Sequence, residues 1–185
     1  MRVTFPRLPD HEKAYAVIER DDGVVYRLYG GLAGTTLPHD VRHLVVERTL
    51  GIRDGLWGEI ASGAVFLSMR HVSGRRPPQA AAWSVSRKRQ FRSSGRWLHA
   101  EMVADLAERV AGLPSPTTAE IQRLAASVLS MLPDSGTDVD PDAVAAAARA
   151  LQVEASRWAR LRPGEQLVYD WPAAPRVPRQ RRPGR

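Results

Sequence analysis

AYAVIERDDGVVYRLYG, residues 14–30, decides how the rest of this chain is read. Val, Ile and Tyr, whose shapes suit a pleated surface, crowd both sides of Asp21-Asp22-Gly23. Gly23 can take the positive φ that a tight reversal requires. The pattern predicts a β-hairpin over 14–20 and 24–29. A lone hairpin is marginal in water, so it needs more strands or a helical layer over one face.

That helical layer is legible downstream. Thr36 as a cap and Pro38 in a first turn predict a helix from near Thr36 to about Leu50. Gly51, Gly55 and Gly58 then interrupt, and a second helix is expected over roughly 56–69. Leu98, Met102, Leu106 and Val110 predict a third over 96–111. Thr117 with Glu120 forms a capping box that opens a fourth, with Ile121, Leu124, Ala125, Val128 and Leu132 as its stripe. Asp140-Pro141 starts a fifth, striped by Val144, Ala148, Leu151, Ala155 and Trp158 and ended by Pro163-Gly164. EQLVYDW, residues 165–171, reads as a closing strand that pairs with the hairpin. The fold class is therefore α+β: a small antiparallel sheet, N-terminal hairpin plus C-terminal strand, with about five helices packed against it.

Residues 1–171 are expected to form a single globular domain, with 172–185 a disordered Arg/Pro-rich tail. With 43% hydrophobic residues the chain has enough apolar surface for a core, which excludes disorder throughout. It has no cysteine, which excludes disulfides, thiolate metal sites and cysteine nucleophiles, and fits a cytoplasmic location. No stretch nears the roughly 18 apolar residues of a membrane span, and MRVTFPRLPDHEK lacks a signal-peptide core. The net charge of +7 is uneven. Residues 70–96, expected to be partly irregular, carry eight Arg or Lys and the tail five Arg, with no acid in either, so the rest of the chain is acidic.

Chemistry concentrates in TTLPHDVRHLVVE, residues 35–47. At about 100° per residue, His39, His43, Glu47 and Asp40 share an arc of about 100°. Val46 and Leu50 border that arc, and Leu37, Val41, Leu44 and Val45 lie on another side. A purely solvated face is not usually bordered this way. Histidines at i and i+4 can meet one ion without bending the helix, and a first-turn His39 is kept neutral by the helix dipole. Asp40 is either a ligand or a neighbour that orients an imidazole. The competing reading is an ordinary helix whose histidines only pack.

His39-Asp40-Val41-Arg42-His43 followed by Gly58-Glu59 resembles the zinc motif of the coenzyme Q biosynthesis family known as the fourth Coq protein. The resemblance implies His39, Asp40, His43 and Glu59 as metal ligands. It also implies chemistry that removes or replaces a substituent on a quinone-ring precursor. Fifteen residues separate His43 from Glu59 here, about one helical turn more than that family has. Either the loop at Gly51–Gly55 absorbs the difference or Glu47 replaces Glu59 as the carboxylate. The likeness covers about twenty-five residues. The run LPHD…H.VVE..LG…G.WG…A.GA.F is also similar to a set of uncharacterised actinobacterial proteins. Two histidines, a carboxylate and an open position suit a divalent ion, zinc favoured, and a small or hydrophobic organic substrate.

SRKRQFRSSGRW, residues 86–97, interleaves Arg87, Lys88, Arg89, Arg92 and Arg96 with Phe91 and Trp97. Basic charge tracks phosphates and rings stack on unpaired bases, so nucleic acid or another anionic surface is a second possible partner. Phe91 and Trp97 have the plainer role of anchoring that segment to the core. Trp57, between glycines, is expected to pack the corner between the first two helices. Three readings stand at this level: a metalloprotein acting on a small molecule, an anionic-surface binder using 70–96, and a structural or partner-binding domain without metal.

Overall fold

The computed structural model describes residues 1–75, 94–130, 132 and 139–172. Among them are five strands and five helices. The strands are β1 (Arg2–Pro6), β2 (Lys13–Glu19), β3 (Val25–Leu32), β4 (Met69–Ser73) and β5 (Gln166–Asp170). The helices are α1 (His39–Leu50), α2 (Leu56–Ala61), α3 (Ser94–Ala111), α4 (Thr118–Leu129) and α5 (Pro141–Arg160). The α+β class expected from the sequence is what the molecule shows.

The sheet is antiparallel throughout, in the order β4-β3-β2-β1-β5. The hairpin forms as expected, closed by Arg20 and Val24 across a turn in which Gly23 has φ +79°. Two strands escaped the sequence reading. β1 alternates in and out: Val3 and Phe5 are buried while Arg2 is exposed. β1 rather than the hairpin receives the closing strand, with Val3 opposite Tyr169 and Phe5 opposite Leu167. β4 lies where the second helix was expected to end and an irregular stretch to begin. α2 stops at Ala61 because Gly63 turns the chain with φ +102°, and Met69 then joins the sheet opposite Leu28.

The helices build one layer on the face carrying Val3, Phe5, Ile18, Tyr26, Leu28 and Leu167. α1 is central, packing on α2, α3 and α5. Six of its residues are buried, Val41, His43, Leu44, Val45, Val46 and Glu47, as expected of a helix apolar on several sides. It begins on Pro38 without a side-chain cap, so Thr36 does not serve as one.

The other starts match their signals. Thr117 and Glu120 exchange both capping-box hydrogen bonds, and Asp140 Oδ1 accepts from Asp142 N at 2.9 Å. α3 buries Leu106 and Val110 of the expected stripe, but its buried face is rotated away from Leu98. Leu98 is 42% exposed, while Ala100, Val103, Leu106, Ala107 and Val110 are buried. Alanines let α3 approach closely, and counting only bulky residues rotates the apparent stripe.

Candidate metal centre

α1 begins at His39, so His39 and His43 rise one above the other on its first turns. Their Nε2 atoms lie 3.1 Å apart, with ring centroids 4.4 Å apart and planes tilted by 48°. α3 runs alongside, with Glu101 and Glu108 on the edge that meets α1. Glu108 pairs with Arg42, and Glu101 Oε2 lies 3.2 Å from His43 Nε2. One ligand atom from each of His39, His43 and Glu101 falls within 4.8 Å of the others. The His39 side chain is 59% exposed and that of His43 is 4% exposed, so the group opens outward at His39.

A metal fits this geometry. Ligand bonds of about 2.0–2.1 Å at tetrahedral angles place two donors about 3.3–3.4 Å apart. The observed separations are 3.1 and 3.2 Å. Hydrogen bonding among these atoms depends on which ring nitrogens carry protons. His43 Nε2 carries either one hydrogen or one lone pair, so it cannot donate to Glu101 and also accept from His39. A cation could be shared by all three groups.

Neighbouring charges act on two of the three groups. The Glu101 carboxyl is held below the ordinary range, first by its hydrogen bond to His43 and then by the charge of the two imidazoles, against partial burial. It therefore stays ionised. The Asp40 carboxylate, 3.3 Å from His39 Nδ1, raises the His39 pKa by that hydrogen bond, partly opposed by burial, so the ring is not kept neutral in the way its first-turn position predicts. A proton fixed on Nδ1 leaves Nε2 as the free donor atom.

The sequence-derived candidates separate clearly. His39 and His43 converge as expected, and Asp40 stands beside His39. Glu47 lies 4.0 Å from His43 Nδ1, on the side of the ring away from Glu101. Its Oε2 accepts from Trp57 N at 3.0 Å and from Gly58 N at 3.4 Å. Glu59 is half-buried on α2 and is not a member of the three-residue group. The first-turn amides of α2 face Glu47, and Glu59 projects about 100° further round the helix than Gly58.

The carboxylate that does join the histidines, Glu101, was not singled out from the sequence. Its only signal is spacing: Trp97, Glu101 and Glu108 recur at four and seven residues along one edge of α3. Trp57 packs the α1–α2 corner as expected. It is fully buried and its indole donates to Asp40 O at 2.9 Å.

Of the basic set, Arg87, Lys88, Arg89 and Arg92 lie outside the described residues, as do Phe91 and the tail beyond Pro172. Arg96 is exposed on α3, 3.4 Å from Asp54. Trp97 packs its ring 5.4 Å from that of Phe66, the anchoring role expected of it. Among the described residues no helix is long and apolar enough to cross a membrane. Compared with protein families, curated proteins and solved structures, the chain finds no match in any of the three.

Proposed function

We propose that this chain binds a divalent metal ion, zinc in the first place, through His39 Nε2, His43 Nε2 and the Glu101 carboxylate. One observation carries the reading: His43 Nε2 faces both His39 Nε2 and Glu101 Oε2 at close range, which brings two imidazole nitrogens and a carboxylate oxygen together. Two nitrogens and a carboxylate are a donor set that suits zinc and leaves a position open.

We further propose that the centre is catalytic and acts on a small organic molecule. A bound ion there supplies Lewis acidity or an activated water. The chain's own residues do the rest. Asp40 orients His39 through Nδ1, and His43 is held by burial on the inner turn. A cavity of about 200 Å³ adjoins His39 and Asp40, walled by Phe5, Tyr15, Leu37 and Trp158. It is smaller than the roughly 300–1,000 Å³ of sites for drug-sized ligands, which favours a small substrate. The resemblance of His39-Asp40-x-x-His43 to the coenzyme Q family supports a ring-bearing substrate, with Glu101 in place of that family's glutamate.

The test is metal content of the purified full chain, followed by zinc affinity from competition with a chromophoric chelator. The expected result is one equivalent of zinc, lost in His39→Ala, His43→Ala and Glu101→Ala. Wild-type affinity in all three variants would end the proposal.

A further inference from the structure

Glu47 is fully buried, yet its Oε1 has no hydrogen-bond partner among the described residues. An unpartnered carboxylate oxygen in a protein interior is costly, so its position calls for a reason. The surroundings are built around it. A Cβ at Gly55 would stand 2.4 Å from Glu47 Cδ, so only glycine there admits the carboxylate. Trp57 N and Gly58 N hold Oε2 and thereby aim Oε1. It faces His43 Nδ1 at 4.0 Å, one turn earlier on α1.

We propose that Glu47 is the positioning residue for His43: it accepts the Nδ1–H and so presents the Nε2 lone pair to the metal. The inference rests on the metal-binding reading above and adds to it a role for a residue that does not touch the ion. With a cation on Nε2, the remaining proton of the ring sits on Nδ1, and Glu47 Oε1 is the acceptor in front of it. A shift of about 1 Å brings the pair to hydrogen-bond length. His39 has the same arrangement at the surface, with Asp40 on Nδ1 and Nε2 turned inward. Each imidazole of the centre thus has its own carboxylate behind it, one partly exposed and one buried.

Glu47→Gln separates this role from simple packing. The amide keeps one oxygen for the Trp57 and Gly58 N–H groups and turns its NH2 toward His43 Nδ1. A donor then faces the Nδ1–H, and the ring is driven to carry its proton on Nε2 instead. Zinc affinity should fall 10–100-fold, the range typical when a metal-bound histidine loses its carboxylate partner. The thermal midpoint of the metal-free protein should not fall. In ¹⁵N imidazole spectra, zinc-loaded wild type should show His43 protonated at Nδ1, and metal-free Glu47→Gln should show it protonated at Nε2.

Zinc affinity within twofold of wild type in Glu47→Gln, or a zinc-loaded wild type with Nδ1 bare, overturns the inference. The wild-type spectrum decides alone if the variant does not fold. Wild-type zinc affinity in His39→Ala, His43→Ala and Glu101→Ala together overturns the metal site itself, a different result from either of these.

Discussion

Glu47 and Glu101 stand on opposite sides of one imidazole, and the protein treats them in opposite ways. Glu47 has no exposed surface and Glu101 keeps 35% of its side chain exposed. Burial pushes the Glu47 carboxyl up to about 8, against the pull of backbone N–H groups at Trp57, Gly58 and Leu56. The hydrogen bond to His43 pushes Glu101 down. In the metal-free protein the same side chain thus keeps its proton at one ring nitrogen and stays an anion at the other. A cation on His43 Nε2, which fixes the ring proton on Nδ1, is what draws Glu47 into its ionised, accepting form. Environment sets the role, as with paired carboxylates in many sites.

The largest way to break this comparison is Glu47→Ala. It strands two buried amides and opens a void, and should cost roughly 2–3 kcal/mol in a urea titration of metal-free protein. An unchanged midpoint would show that the pocket collapses around the loss. Gly55→Ala comes next. Its new methyl group meets the Glu47 carboxylate, and overpacking of this kind costs about 1–3 kcal/mol. In the double variant Gly55→Ala/Glu47→Ala, the cost of the first change should largely vanish, because the clashing atoms are gone.

The pH profile sharpens the contrast without removing packing. A folded pKa of about 8 against an ordinary 4.5 means that folded Glu47 holds a proton the unfolded chain releases. Stability from this group is complete below 4.5 and is lost as pH rises through about 8. Glu101 has the reverse sign, contributing above the ordinary carboxylate range and losing that contribution as pH falls through its lowered value. Urea midpoints of the metal-free protein should therefore fall on both sides, with Glu47→Gln flattening the alkaline limb and Glu101→Gln the acid one. Glu101→Gln has the smallest effect on folding, within about 0.5 kcal/mol at neutral pH. It should still weaken zinc binding at least tenfold by competition assay, since a neutral amide is a poorer ligand.

The same contrast explains what could be read in the sequence. His39, His43 and Glu47 lie within nine residues of one helix, where a helical wheel suffices to place them together. Glu101 is 58 positions beyond His43, and only the packing of α3 on α1 brings it in. The buried face of α3 includes Ala100, Ala104 and Ala107, small residues that leave little trace in a hydrophobic pattern. The coenzyme Q likeness pointed to Glu59 instead, and the longer connection here places α2 with its amides, not that side chain, toward Glu47. The hairpin, the capping box and the Asp140-Pro141 start were legible because each is local chemistry. β1 and β4 were not, since RVTFP and MRHVS are short, carry charge, and become strands by pairing with distant partners.

The pairing of β1 with β5 also has a cost in time. Residues 2–6 and 166–170 are adjacent in the sheet but roughly 160 positions apart in the chain. At about 5–20 residues per second on a ribosome, the outer edge of β1 waits roughly 10–30 s for its neighbour. During that interval Val3 and Phe5 belong to an unfinished sheet whose open hydrogen-bonding edge can recruit another nascent chain. Crowded, rapid expression should therefore be the condition under which this protein aggregates, and slower synthesis in the cold the simplest remedy.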